Sequence, residues 1–146
     1  MNPNRSLLFH GSLVLVLSLL AGVLVATPGV ANPRMAVAAH LAALISGPIL
    51  LSLGLAWPYV ELPARVAART SALLVVSLYL NVAFVTLAAL FGTSQATPLA
   101  GAGHSGTPWQ EAFVSAGFAL AIVGMFVAFV LVAVGFSRGR AGSEHT

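Results

Sequence analysis

The chain has no cysteine, no lysine and no aspartate. Without cysteine, a disulfide framework, a thiolate nucleophile, an iron–sulfur cluster and a cysteine zinc site are all excluded. Charge is almost as scarce: 6% of the 146 residues are charged, six arginines against three glutamates, for a net charge of +3. A soluble domain carries about a quarter charged residues, and a nucleic-acid surface needs clustered basic side chains. Water as the main solvent and nucleic acid as a partner are therefore both excluded.

Hydrocarbon is what the chain has in abundance, with 59% of its residues hydrophobic. Four long apolar runs are legible, at about 7–26, 36–57, 66–91 and 112–136. Thr27-Pro28-Gly29, Pro58 and Gly92 close the first three. Each run has the ~20 residues that a helix needs to cross about 30 Å of hydrocarbon. A barrel would need alternating strands, which are absent, so the expected fold is all-α, a four-helix membrane bundle in one domain spanning residues 1–146. Residues 137–146 read as a polar tail. Arg5 before an apolar run, with Gly29-Val30-Ala31 after it, also has the outline of a cleavable signal peptide; His10 within the run argues for a retained helix. Arg5, Arg65, Arg69, Arg138 and Arg140 fall on one side and Arg34 alone on the other, so the positive-inside rule places both termini in the cytoplasm. Trp57 and Trp109 read as belt residues at the two membrane faces.

Ionisable and amide side chains at membrane depth are costly and mark function by default. They are few here: His10 in the first run, His40 and Ser46 in the second, Ser77 and Asn81 in the third, and Gln110 and Glu111 at the head of the fourth. At 1.5 Å per residue, Ser46 and Asn81 both lie roughly 15 Å from the outer ends of their helices, with His40 nearer the surface. A polar pocket in the outer half is the expectation. Ala36, Ala43 and Gly47 stand one and two turns from His40, leaving its helix face nearly bare. Two readings of His40 stand together. Small residues can let a neighbouring helix approach, with the imidazole hydrogen-bonding across the seam; or the bare face can leave room for a flat macrocycle whose iron takes the imidazole as axial ligand. Asn81 divides in the same way between helix glue and site residue. Pro48 removes the bond to Leu44 and is expected to bend the second helix. The small residues Gly117, Ala121, Gly124 and Ala128 favour tight packing or oligomerisation of the fourth. His10 and His40 fall toward opposite membrane faces, which argues against both serving one iron in one subunit.

Several short motifs carry a resemblance: Asn32-Pro33-Arg34-Met35, Ala39-His40-Leu41, Ser46-Gly47, Leu53-Gly54-Leu55-Ala56-Trp57-Pro58, and Gly106-Thr107-Pro108-Trp109-Gln110-Glu111. Together they resemble bacterial hydroxylaminobenzene mutases. His10-Gly11, Ala39-His40, Gly47, Pro58 and Asn81-Val82 are similar to styrene oxide isomerases, a related group. The likeness runs from about residue 7 to 136. It implies a bacterial cytoplasmic-membrane isomerase acting on a small hydrophobic aromatic substrate, and for the epoxide branch a homotrimer with haem b near the subunit boundaries. By the same resemblance His40 matches the axial iron ligand, Gly47 lies beside the cofactor, and Asn81 matches an asparagine near it. Where epoxide isomerases carry asparagine, aspartate and tyrosine, this chain has Ser46, Ser77 and Val85; where mutases carry an acidic residue, it has Ala42.

The expected chemistry is conversion of an arylhydroxylamine to a 2-aminophenol by intramolecular hydroxyl transfer. Activation of the N–O oxygen falls to haem iron or to a proton from Glu111, Arg34 pairs with Glu111 or a haem propionate, and Asn81, Ser46 and Ser77 line the site. An epoxide isomerase and a non-catalytic haem-binding or anchoring subunit are the alternatives.

Overall fold

A computed structural model describes residues 2–139. It is all-helical among those residues, with α1 (Pro3–Val25), α2 (Pro33–Ala56), a 3-10 turn (Trp57–Tyr59), α3 (Ala64–Phe91), a single-turn α4 (Pro98–Gly101) and α5 (Pro108–Gly139). The helices α1, α2, α3 and α5 are each long and apolar enough to cross a membrane. All start earlier than the apolar runs suggest, because prolines stand at N1 or N2 of α1 and α2 and asparagines precede them as caps. A proline at the first helical position sacrifices an N–H that the helix leaves unpaired in any case. Three residues of the expected polar tail continue α5, and residues 140–146 lie outside the described residues.

The closest approach in the bundle is between α1 and α2. A Cβ on Gly11 would lie 2.9 Å from the Leu51 main-chain nitrogen and 3.0 Å from the Gly47 carbonyl oxygen. One on Gly47 would strike Leu15 at 2.6 Å, and one on Gly54 would strike Leu8 at 2.9 Å. Three glycines thus bring the two backbones into contact, the device by which lipid-solvated helices gain dispersion energy without a hydrophobic force between them. Pro48 is exposed on the far side, and α2 runs through it without a break.

The second pair is α3 with α5. Gly117 receives the Phe84 ring and Gly124 the Ser77 hydroxyl, so part of the small-residue stripe of α5 is spent inside the subunit. At the end that carries the termini, Glu61 N–H donates to the Gly135 carbonyl at 3.1 Å. The 3-10 turn there tucks Trp57 under the bundle at 5% exposure, while Tyr59 stands 72% exposed. Trp57 is therefore a core residue rather than a belt residue, and Tyr59 takes the surface position at that end. Trp109 is exposed, its ring packed edge-on against Phe91 with centroids 5.6 Å apart.

At the other end Asn32 is fully buried and ties three segments together. Its Oδ1 accepts the Arg34 and Met35 N–H groups at 3.1 and 3.2 Å, its amide donates to the Gly101 carbonyl at 3.0 Å, and its own N–H donates to the Ala89 carbonyl at 2.9 Å. Gly92, at φ 74°, ends α3 in the left-handed conformation that a side chain would strain.

Because the Leu51 nitrogen and the Gly47 carbonyl oxygen facing Gly11 are main chain and cannot swing aside, Gly11→Val should cost about 1–3 kcal/mol by overpacking. A lowered thermal unfolding midpoint in mild detergent is the expected result, against an unchanged midpoint for the exposed Leu19→Val.

Candidate functional site

His40 sits on the α1–α2 seam. Its Nδ1 lies 2.8 Å from the Ser18 carbonyl oxygen, with the Ser18 hydroxyl 3.4 Å away. A carbonyl only accepts, so Nδ1 carries a proton, and in the neutral ring Nε2 holds the lone pair. No described residue hydrogen-bonds to Nε2. Gly22, one turn beyond Ser18, makes room for the ring: a Cβ there would stand 3.3 Å from Nδ1. Ser18 and Gly22 escape a reading of polar groups at depth, since one contributes its main chain and the other contributes nothing but space. Their i, i+4 spacing opposite a histidine is the signal that could have exposed them.

The bare face around His40 is not open within the subunit. Ala36 and Ala43 are fully buried in the core, and Gly47 is covered by Leu15 and Gly11 of α1. The bland reading, in which small residues admit a neighbouring helix and the imidazole bonds across the seam, accounts for this face. It leaves the donor chemistry of a metal ligand intact, because an imidazole whose Nδ1–H is held by a backbone carbonyl has the tautomer and orientation that Nε2 ligation needs. On that count His40 fits the role of a residue that would hold haem.

The remaining site candidates are dispersed. Ser46 is buried, and its hydroxyl donates to the Ala42 carbonyl at 2.6 Å in its own helix. Ser77 points across the α3–α5 seam at Gly124. Asn81, one turn on and half-buried, makes no hydrogen bond to a described residue. No hydrogen bond joins any two of His40, Ser46, Ser77, Asn81 and Glu111 among the described residues. Arg34 is exposed and forms no ion pair with Glu111 among the described residues.

Glu111 instead fastens the 92–107 loop. Its carboxylate accepts the N–H groups of Gln95 and Gly106 at 2.9 Å each and of Ser94 at 3.1 and 3.2 Å to its two oxygens. Gln110 does similar work one residue earlier, its Oε1 accepting both the N–H and the hydroxyl of Thr107 at 2.8 Å. The Gly106–Glu111 motif is thus the clamp that joins both limbs of the loop to the start of α5, where a carboxylate also meets the favourable end of the helix dipole.

A multi-pass membrane protein is what four such helices define, with one oriented histidine on its tightest seam. The styrene oxide isomerase family model matches residues 3–137, and the chain belongs to that family. Its function is accordingly of the isomerase type. No curated protein and no solved structure matches the chain.

If Gly22 provides the berth for the imidazole, Gly22→Val should push the ring off the Ser18 carbonyl, whereas Ser18→Ala should leave it in place. Histidine-selective 15N NMR is expected to report the Nδ1–H tautomer in the wild type and in Ser18→Ala, and its loss in Gly22→Val.

Proposed function

We propose that the protein is a membrane-embedded isomerase that converts an arylhydroxylamine to a 2-aminophenol by moving the hydroxyl group within one molecule. The observation that carries this reading is the His40–Ser18 bond, which leaves a single oriented Nε2 in a chain of isomerase family. The substrate branch rests on the Asn32–Met35 and Gly106–Glu111 motifs shared with the mutases. In the fold these motifs build the buried Asn32 anchor and the Glu111 clamp.

His40 is the residue that would hold haem b, with Arg34, exposed at the start of α2, available to a propionate. Bound there, haem would supply a Lewis-acidic iron. The chain's own residues do the rest. Ser18 fixes the imidazole, and the apolar helices keep bulk water away while the N–O bond breaks to leave a ring cation and the new C–O bond forms at the ortho carbon, which gives up its proton as the nitrogen gains one. Reactant and product have the same atoms and oxidation level, so no external oxidant or reductant enters. Water exclusion matters because solvent would otherwise capture the ring cation at other positions.

His40 bonds toward α1, whereas Ser77 and Asn81 follow the stripe of α3 that faces α5. By its likeness to the epoxide isomerases the protein assembles as a homotrimer in this account, with haem near the subunit boundaries. Both termini lie in the cytoplasm in this account, by the arginine distribution.

A second reading, isomerisation of an aryl epoxide to an aldehyde, is favoured by the name of the matched family. Its pocket would contain serines at positions 46 and 77 and a buried valine at 85. The two readings separate in one assay. Purified wild-type protein in liposomes should convert phenylhydroxylamine to 2-aminophenol at least tenfold faster than it converts styrene oxide to phenylacetaldehyde, and His40→Ala should abolish turnover. The reverse preference establishes the epoxide reading, and full activity in His40→Ala removes the histidine from the mechanism.

A further inference from the structure

Two adjoining grooves run along the face where α1 meets α3, and neither is lined by His40, Ser46, Ser77 or Asn81. Their volumes are about 590 and 570 Å3, and Tyr79 and Ala83 line both. No Asp, Glu, Lys or Arg lines either one. Thr86 in the first has its hydroxyl committed to the Val82 carbonyl at 2.8 Å. Where the grooves meet, the Tyr79 hydroxyl lies 3.3 Å from His10 Nδ1, the single side-chain hydrogen bond between α1 and α3 among the described residues. The His10 ring is held edge-on by Phe9 and Tyr79, with centroids 5.2 and 5.6 Å away.

At 3.3 Å that contact lies at the long end of the hydrogen-bonding range. His10 Nε2 has no partner among the described residues. Two polar side chains at membrane depth are thus only loosely satisfied, in a groove that is otherwise hydrocarbon. A lipid tail would cover them and offer nothing in return. An ion would give up its hydration and find no counter-charge. A neutral ring bearing one hydroxyl or amino group fits both features: its apolar body lies along the groove, and its polar atom completes the Tyr79–His10 pair. The volume lies within the range of small-molecule sites, about 300–1,000 Å3.

We propose that this groove is a ligand site separate from His40, taking a neutral single-ring aromatic with one hydroxyl or amino group, recognised by Tyr79 and His10. The site is lined by residues of one chain, and its occupancy does not depend on which rearrangement the protein catalyses.

The test is a fluorine NMR titration of 4-fluorophenol into the full chain in lipid nanodiscs. Wild type and His40→Ala should both bind saturably. Tyr79→Phe, which keeps the ring and removes the hydroxyl, should bind at least fivefold more weakly, and Ala83→Trp, which fills the shared wall from an exposed position, should not bind. Absence of saturable binding in the wild type overturns the proposal, as it would if a second copy of the chain covered the groove. Equal affinity in wild type and Tyr79→Phe also overturns it, as does loss of binding in His40→Ala alone, which would place the ligand at His40.

Discussion

The closeness of α1 and α2 is the constraint on which the rest of the structure depends. Gly11, Gly47 and Gly54 remove the side chains that would hold the two backbones apart. The dividend is positional as well as energetic: at that separation the imidazole of His40 reaches a main-chain carbonyl on the neighbouring helix. A carbonyl within an α-helix already accepts the bond of its own ladder, so its second lone pair is what His40 uses. The orientation of His40 is thereby set by helix spacing and a main-chain carbonyl, with no carboxylate.

The opposite end of α2 is fixed by different means. Asn32 caps the helix and reaches Ala89 and Gly101, while Glu111 gathers three loop N–H groups at the head of α5. A chain this poor in charge places one of its three glutamates there. Main-chain N–H groups left unpaired at a membrane surface are expensive, and a carboxylate is the most economical single acceptor for several of them. The seam that orients His40 and the clamp that shapes the loop are independent structures.

Architecture could be read from the sequence because lipid imposes it: apolar runs of sufficient length must be helices, and prolines and glycines punctuate them. Trp57 was misplaced because an aromatic at a helix end looks alike whether it faces the lipid interface or folds under the bundle through a 3-10 turn. Around His40, spacing identified the residue and its small neighbours but not what fills the space between them, since Ala36, Ala43 and Gly47 read identically whether they admit a helix or a cofactor. Ser18 and Gly22 stayed hidden because a carbonyl and an absent side chain have no signature in a list of polar residues. Glu111 and Gln110 were visible, but their work is with backbone N–H groups from a loop that has no periodicity to predict its path. Ser46 and Asn81 share a depth without sharing a seam, and depth is all that counting along helices can give.

The central claim is that an apolar, water-excluding bundle moves an oxygen within a single aromatic molecule. Turnover of phenylhydroxylamine by the purified protein in liposomes made up in 18O-labelled water tests it most directly. The account predicts 2-aminophenol carrying no label. Labelled product, or a predominance of 4-aminophenol, would mean that water supplies the oxygen and would contradict it.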